Sequence, residues 1–581
     1  MRQIELLAPA RNADIGIAAI DCGADAVYIA GPEFGARKDA GNPISEIERL
    51  CRYASKFGAR VFVTFNILLR DDELESAHSQ MLLCQSAGAS AFIIRDPRLC
   101  LFLDITIPLH ASTQCSIRDV QRARLFEKAG CGRVVLEREL DLAQIREICD
   151  GVNVEVEAFV HGALCVCYSG VCTLSERLTG RSADRGECVQ ACRNLYDLVD
   201  DSGRVWLKNK ALLSLKDLNL SQQLESLLDA GVTSLKIEGR LKNISYVRNV
   251  VRAYSLRLDE IIARHPGLYR RASWGRVERG FTPSLDKTFN RGYTSLLLGN
   301  PDSSMANFDA PKSMGERLGK VRAVKALANS ELELTLDGAA LELRNGDGFA
   351  FVRSEQIVGF RGDVCSGNKI ICKKVRGLSV GAVLYRNYSV AFESEMELHP
   401  CKRFLSVALD YRSSEKDGML DVTFSALSED GRKAEVSLSG LEKALNRRRE
   451  SEVYACQLEK HSSVFSFELN PIGDECELAH LSISALNGVR RSLSDALESQ
   501  PCGEIPMLNP SERVPVEYDT TRREGEVMRS KYCIRREISQ CLKCGGRKGT
   551  LYLENNGHRF PLRFDCSACE MAVLEEAFKK R

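Results

Sequence analysis

Short apolar runs alternate with amphipathic stretches through residues 1–260. Runs of strand length lie at 4–10 (IELLAPA), 24–31 (ADAVYIAG), 60–68 (RVFVTFNIL), 90–96 (SAFIIRD), 104–113 (DITIPLHAST), 133–139 (RVVLERE), 152–161 (VNVEVEAFVH) and 234–240 (SLKIEGR). Between the early ones lie helix-patterned pieces, NADIGIAAIDCG, PISEIERLCRYASKFG and DDELESAHSQMLLCQSAG. Each closes on glycine, the residue that most readily takes the left-handed conformation at a helix C-cap. Eight strand–helix repeats predict an α/β fold, a TIM-like (β/α)8 barrel, with an open doubly wound sheet as the fallback. Residues 241–265 read as an amphipathic helix closing this unit. From 312 to about 398 the pattern changes to short strands and turns, as in a small β-barrel or sandwich. Residues 402–500 mix alternating strands with two helix-like segments. PCGEIPMLNPSERVPVEY (501–518) is proline-rich, as at a domain boundary. The expected organisation is therefore a barrel catalytic domain with a cysteine cluster at 1–265, a linker and small β-barrel domain at 266–400, an α+β accessory domain at 401–500, and a proline-rich linker with a cysteine-rich C-terminal domain at 501–581.

Composition narrows the class. Apolar residues make up 44% and charged residues 27% of 581 positions, a globular balance that length divides into three or four domains. No run of 18 apolar residues and no export signal are visible, which predicts a cytoplasmic chain with no membrane partner. In a reducing compartment, 23 cysteines point to metal sites rather than disulfides. A net charge of +1 gives no push toward nucleic acid and does not exclude it.

In a barrel of this kind the active site forms where the strands end at their C-termini. That gathers Asn66, His110, Gln114, Arg138, His161, Lys236 and Arg240, with Tyr28, Arg95 and Glu238, around one mouth. Such a ring suits a polar or anionic small molecule. The stretch after the seventh strand carries Cys165-x6-Cys172-x15-Cys188-x3-Cys192, with Cys167 as a reserve thiol and Gly162, Gly170 and Gly186 for tight turns. Thiolates are soft ligands, and this spacing lacks the paired CxxC knuckles of zinc ribbons, so a [4Fe-4S] cluster fits at least as well as zinc. Cys541-x2-Cys544 and Cys566-x2-Cys569 do form two knuckles, with Cys533 as a competing ligand. Read alone, that pattern is a zinc ribbon, though spacing does not separate zinc from iron–sulfur binding there.

EAFVHGALCVCYSGVC followed by RGECVQACR closely resembles the signature of the peptidase U32 family, the collagenase-like proteases. IELLAPA, ADAVYIAG, VTFN, LHASTQ, SLKIEGR and YCIRRE…FDCSACEM are similar to the same family, so the resemblance spans essentially the whole chain. It implies an RNA hydroxylase. The long members point to conversion of a cytidine in 23S rRNA, or its precursor, to 5-hydroxycytidine, with prephenate as cosubstrate and electron or iron–sulfur delivery proteins as partners. It also implies cluster ligation by Cys165, Cys172 and Cys188. Some relatives draw a fourth cysteine from a Lys-Asp-Leu-Cys segment, but here LKDLN places Asn219 in that position, so Cys192 completes the implied set. Lys236, Arg240 and Arg138, with Gln114, would hold the cosubstrate, and His110, Asn66 and His161 would position groups or exchange protons. The alternatives are a U32-type peptidase and a non-catalytic metal-bound scaffold or maturation factor. Against proteolysis, there is no HExxH, no GxSxG and no assignable Ser-His-Asp set, and a Cys165–His161 pair would compete with the cluster.

Overall fold

The computed structural model describes residues 1–36, 41–299, 303–338, 341–353, 356–510, 512–520 and 522–575. Asn300, Ala340 and Ser511, which belong to segments read above, lie outside the described residues. All eight apolar runs form strands: Arg2–Pro9 (β1), Ala26–Ala30 (β2), Arg60–Phe65 (β3), Ala91–Ile94 (β4), Leu109–Ala111 (β5), Arg133–Val135 (β6), Glu155–Gly162 (β7) and Ser234–Ile237 (β8). Each pairs in parallel with the next. β8 returns to β1 with Leu7 opposite Lys236, which closes the barrel and excludes the open sheet.

Helices cover the outside, among them Ala13–Asp21, Val120–Ala129, Leu142–Gly151 and Ile244–Arg264. Their starts are set locally: Asn12, Asp119, Asp141 and Asn243 each accept a hydrogen bond from a backbone N–H in the first turn. Inside the barrel foot, Arg133 is bound by Glu5, Glu155 and Glu157, and Arg60 also reaches Glu5. Charges can be buried here because each is paired and hydrogen-bonded. Above them lies an apolar layer of Leu7, Ala26, Tyr28, Phe62, Ala91 and Ile93, against which Met507 packs.

Strands from Glu316–Ala326 to Val383–Tyr388 form a seven-stranded sheet around a core of its own. A further sheet is built on the long strand Lys402–Lys416, backed by helices Arg447–Leu458 and Ile483–Glu498. The C-terminal strands do not stand alone. Leu551–Asn555 pairs with Tyr196–Asp200, so the tail and a hairpin emerging from the barrel share one six-stranded sheet. The proline-rich segment reaches the tail along the barrel wall. Arg60 donates to the Ile505 carbonyl (2.9 Å), Asn509 to that of Thr106 (2.7 Å) and Arg513 to that of Ile105 (2.8 Å).

Candidate active site at the barrel mouth

A cavity of about 190 Å³ opens at the C-terminal ends of the strands. Its barrel wall includes Tyr28, Asn66, Gln114, Arg138, Lys236 and Arg240, and its roof is the loop after β7, carrying Cys165, Cys172, Cys188 and Cys192. The roof is clamped from both sides. From the barrel, buried Arg95 donates to Asp184 (2.8 Å) and to the Gly170 carbonyl (2.9 Å). From the tail, Thr173 N–H donates to the Val527 carbonyl and Tyr168 N–H to that of Arg529, both at 2.9 Å. Gly170 lies at φ +79°, and a Cβ there would sit 2.2 Å from the Gln114 carbonyl oxygen. The close approach of loop to barrel therefore requires glycine.

Cations dominate the wall. Lys236 donates to Glu157 at 2.7 Å and lies over the Tyr28 ring, 4.7 Å from its centroid. Burial lowers its pKa, with the Glu157 carboxylate opposing the shift. Arg138 sits 3.8 Å over the Phe159 ring and 3.4 Å from Glu238. Arg240 donates to the Thr64 hydroxyl (2.9 Å). Asn66 accepts from Ala36 N–H (2.9 Å) and donates to the Ser112 hydroxyl (3.2 Å), which fixes its amide at the rim. Two further cavity cations carried no sequence signal as site residues. Arg193 staples the loop to Ser214 and to the Leu164 and Leu215 carbonyls, and Arg291, from the segment beyond the barrel's closing helix, pairs with Asp217 at 2.9 Å.

The two histidines lie elsewhere. His110 is buried in the layer beneath the mouth, edge-on to Phe62. Burial, with Arg133, Lys236 and Arg60 nearby, depresses its pKa far below the usual histidine range. His161 falls at a register shift between β7 and β8, where Phe159 pairs with Lys236 but His161 with Ile237. It packs against Tyr246, Tyr254 and Tyr293 behind the wall, its Nδ1 3.3 Å from the Tyr254 hydroxyl, and burial pushes it down to about 3. Neither is among the residues lining the cavity. Asn219 is occupied in the same cluster, its Oδ1 accepting from Tyr254 (3.2 Å) and Ser221 N–H (3.1 Å).

The metal expectations are overturned. Among the described residues, no group of three or more His, Cys, Asp or Glu side chains is arranged to hold a metal ion. The [4Fe-4S] cluster on Cys165, Cys172, Cys188 and Cys192 is therefore corrected, as is the zinc or second cluster on Cys533, Cys541, Cys544, Cys566 and Cys569. Several of these sulfurs meet protein groups instead. Cys172 shares a hydrogen bond with Cys167. Cys188 accepts from the Ser175 hydroxyl (3.6 Å) and from Gln190 N–H (3.4 Å). In the tail, the Lys543 ammonium donates to Cys569 at 3.2 Å, where a second cation would be repelled.

The family model described as "Peptidase family U32" matches residues 11–307. The "23S rRNA 5-hydroxycytidine C2501 synthase" of Escherichia coli (strain K12) is 35% identical, over 98% of this chain and 94% of its own. The "tRNA hydroxylation protein P1" of Bacillus subtilis (strain 168) is also 35% identical, over 55% of this chain and 76% of its own. A "Collagenase" of Porphyromonas gingivalis is 32% identical, over 50% of this chain and 73% of its own. The match through the barrel and roof loop, with identity running on through the tail that clamps that loop, makes this chain a member of the U32 peptidase family.

Proposed function

We propose that this chain hydroxylates C5 of a cytidine in 23S ribosomal RNA. The observation that carries the reading is end-to-end: 35% identity over 98% of this chain and 94% of a relative named for that reaction. The cavity is compatible with it. A base undergoing chemistry must leave its stack and enter a pocket, and the rim amides of Asn66 and Gln114 can hydrogen-bond its polar edge. Lys236, Arg138 and Arg240 suit the carboxylates of a small acid such as prephenate, since guanidinium and ammonium donors to carboxylate make strong charge-assisted bonds. His110, too deep to touch that acid, would act by holding the Lys236 layer in place. His161 would brace β7 against the tyrosines. Proteolysis fits less well. Cys165 lines the cavity, but among the described residues no histidine does, so no imidazole is placed there to take the thiol's proton. No helix among the described residues is long and apolar enough to cross a membrane, and a ribosomal substrate would place the work in the cytoplasm.

The test is mass analysis of 23S rRNA nucleosides from a strain lacking the chain, and from the same strain supplied with wild type or Lys236→Met. 5-Hydroxycytidine should disappear, return with wild type and fail to return with the variant. Unchanged 5-hydroxycytidine in the deletion strain would overturn the proposal.

A further inference from the structure

A second, larger cavity lies far from the mouth, where the barrel, the sheet on Lys402–Lys416 and the proline-rich segment meet. It measures about 610 Å³, within the range of roughly 300–1,000 Å³ usual for ligand pockets. Five guanidiniums line it, from Arg252, Arg270, Arg271, Arg276 and Arg403, against two carboxylates, from Asp259 and Glu429.

The two carboxylates offset only part of this charge. Asp259 is bound by Arg271 at 2.9 Å, and Arg271 also holds buried Asp25. Glu429 accepts from the Ser406 backbone N–H at 2.9 Å. Arg252, Arg270 and Arg276 form no ion pair with a carboxylate among the described residues. Arg403, only 3% exposed, spends two nitrogens on the Ala24 carbonyl (2.8 Å) and the Ser273 hydroxyl (2.7 Å), and its Nε is buried without a partner. Like charges crowded into one wall repel, and an anion seated among them removes that cost. Planar guanidinium forks match phosphate oxygens two at a time. Trp274 adds an aromatic wall, its indole N–H donating to the Gly503 carbonyl at 2.9 Å.

We propose that this arginine-lined cavity is a second binding site, for the phosphate groups of a nucleotide, either free or within an RNA strand. It is independent of the hydroxylation reading, because it shares no residue with the mouth.

Trp274 makes the site observable. The chain has two tryptophans, Trp206 and Trp274, so Trp206→Phe leaves a single reporter in the cavity wall. This variant is titrated with inorganic phosphate, with adenosine triphosphate and with a single-stranded RNA 12-mer, with calorimetry in parallel. The expected result is a saturable change in Trp274 emission, weakened at least tenfold by adding Arg270→Gln and Arg276→Gln, and weakened in the same direction by Arg252→Gln alone. Saturation by the triphosphate at the lower concentration assigns a free nucleotide. Tighter saturation by RNA assigns a strand, and there the double variant should flatten the log–log salt dependence by about 1.4, at about 0.7 for each phosphate left without its arginine. Absence of saturable binding for all three probes by both methods, or equal affinity in the arginine variants, would overturn the proposal.

Discussion

Replacing Glu157 by glutamine tests the cationic wall through a residue that does not itself line the cavity. Glu157 Oε1 accepts from Lys236 at 2.7 Å, and Oε2 accepts from Arg133 at 3.0 Å and from Ser234 at 3.2 Å. Arg133 keeps Glu5 and Glu155 in the variant, so removal of the charge falls on Lys236. Breaking a buried pair from one side costs about 3–5 kcal/mol. Lys236 can avoid much of that cost by giving up its proton. Its pKa is already below the usual lysine value through burial, with Glu157 the largest opposing influence. Loss of that attraction lowers its titration point further. The sign follows directly. The ammonium form binds the acid, so affinity falls as pH rises through the Lys236 pKa, and in Glu157→Gln this fall occurs at lower pH. Calorimetric titration with prephenate from pH 6 to 9 should show binding weakened about ten- to a hundredfold near pH 7.5, the worth of one charged hydrogen bond at about 1.5–3 kcal/mol. Acidification should restore it. Superimposable pH profiles for wild type and variant would refute the reasoning.

Two other outcomes are expected. Gly170→Ala should loosen the roof, since its Cβ would strike the Gln114 carbonyl, whereas Gly180→Ala, also at positive φ but with nothing within 4 Å, should show backbone strain of about 1–3 kcal/mol alone; limited proteolysis mapped within 163–193 distinguishes them, and equal cleavage would count against the clamp. His161 titrates at about 3 when folded against 6.5 when free, so the unfolded chain takes the proton first and stability falls as pH drops from 6.5 toward 3, by up to about 4–5 kcal/mol. Urea unfolding at pH 7.5, 6 and 5 should show that slope reduced in His161→Asn, and an unchanged slope would mean that His161 is not buried in neutral form.

The eight barrel strands could be read directly because a strand buried in a parallel barrel must be apolar along most of its length, and such runs stand out between helices capped by Asn, Asp and Gly. The wall cations could be read for a related reason. Lys236 lies in the last pleat of its strand and Arg138 and Arg240 follow strand ends, as does the neutral Asn66, and a closed barrel brings all strand ends to one rim. The histidines show where that logic stops. His110 sits one layer too deep, and at His161 a single register shift turned the side chain toward the helix Ile244–Arg264. Strand placement predicts the rim, but depth and facing depend on alternation within two or three residues.

By itself, the order of residues determined the barrel, its mouth and the loop that roofs it, since each follows from patterns within a few dozen positions. Only the tertiary structure decided that nine suggestively spaced cysteines form no metal-holding group, because ligation depends on where sulfur atoms point and which protein groups already bind them. It also decided that Arg291 joins the wall, that the tail shares a sheet with Tyr196–Asp200, and that five arginines from three stretches of the chain face one cavity. Those pairings span tens to hundreds of residues, and no local period records which distant surfaces will meet.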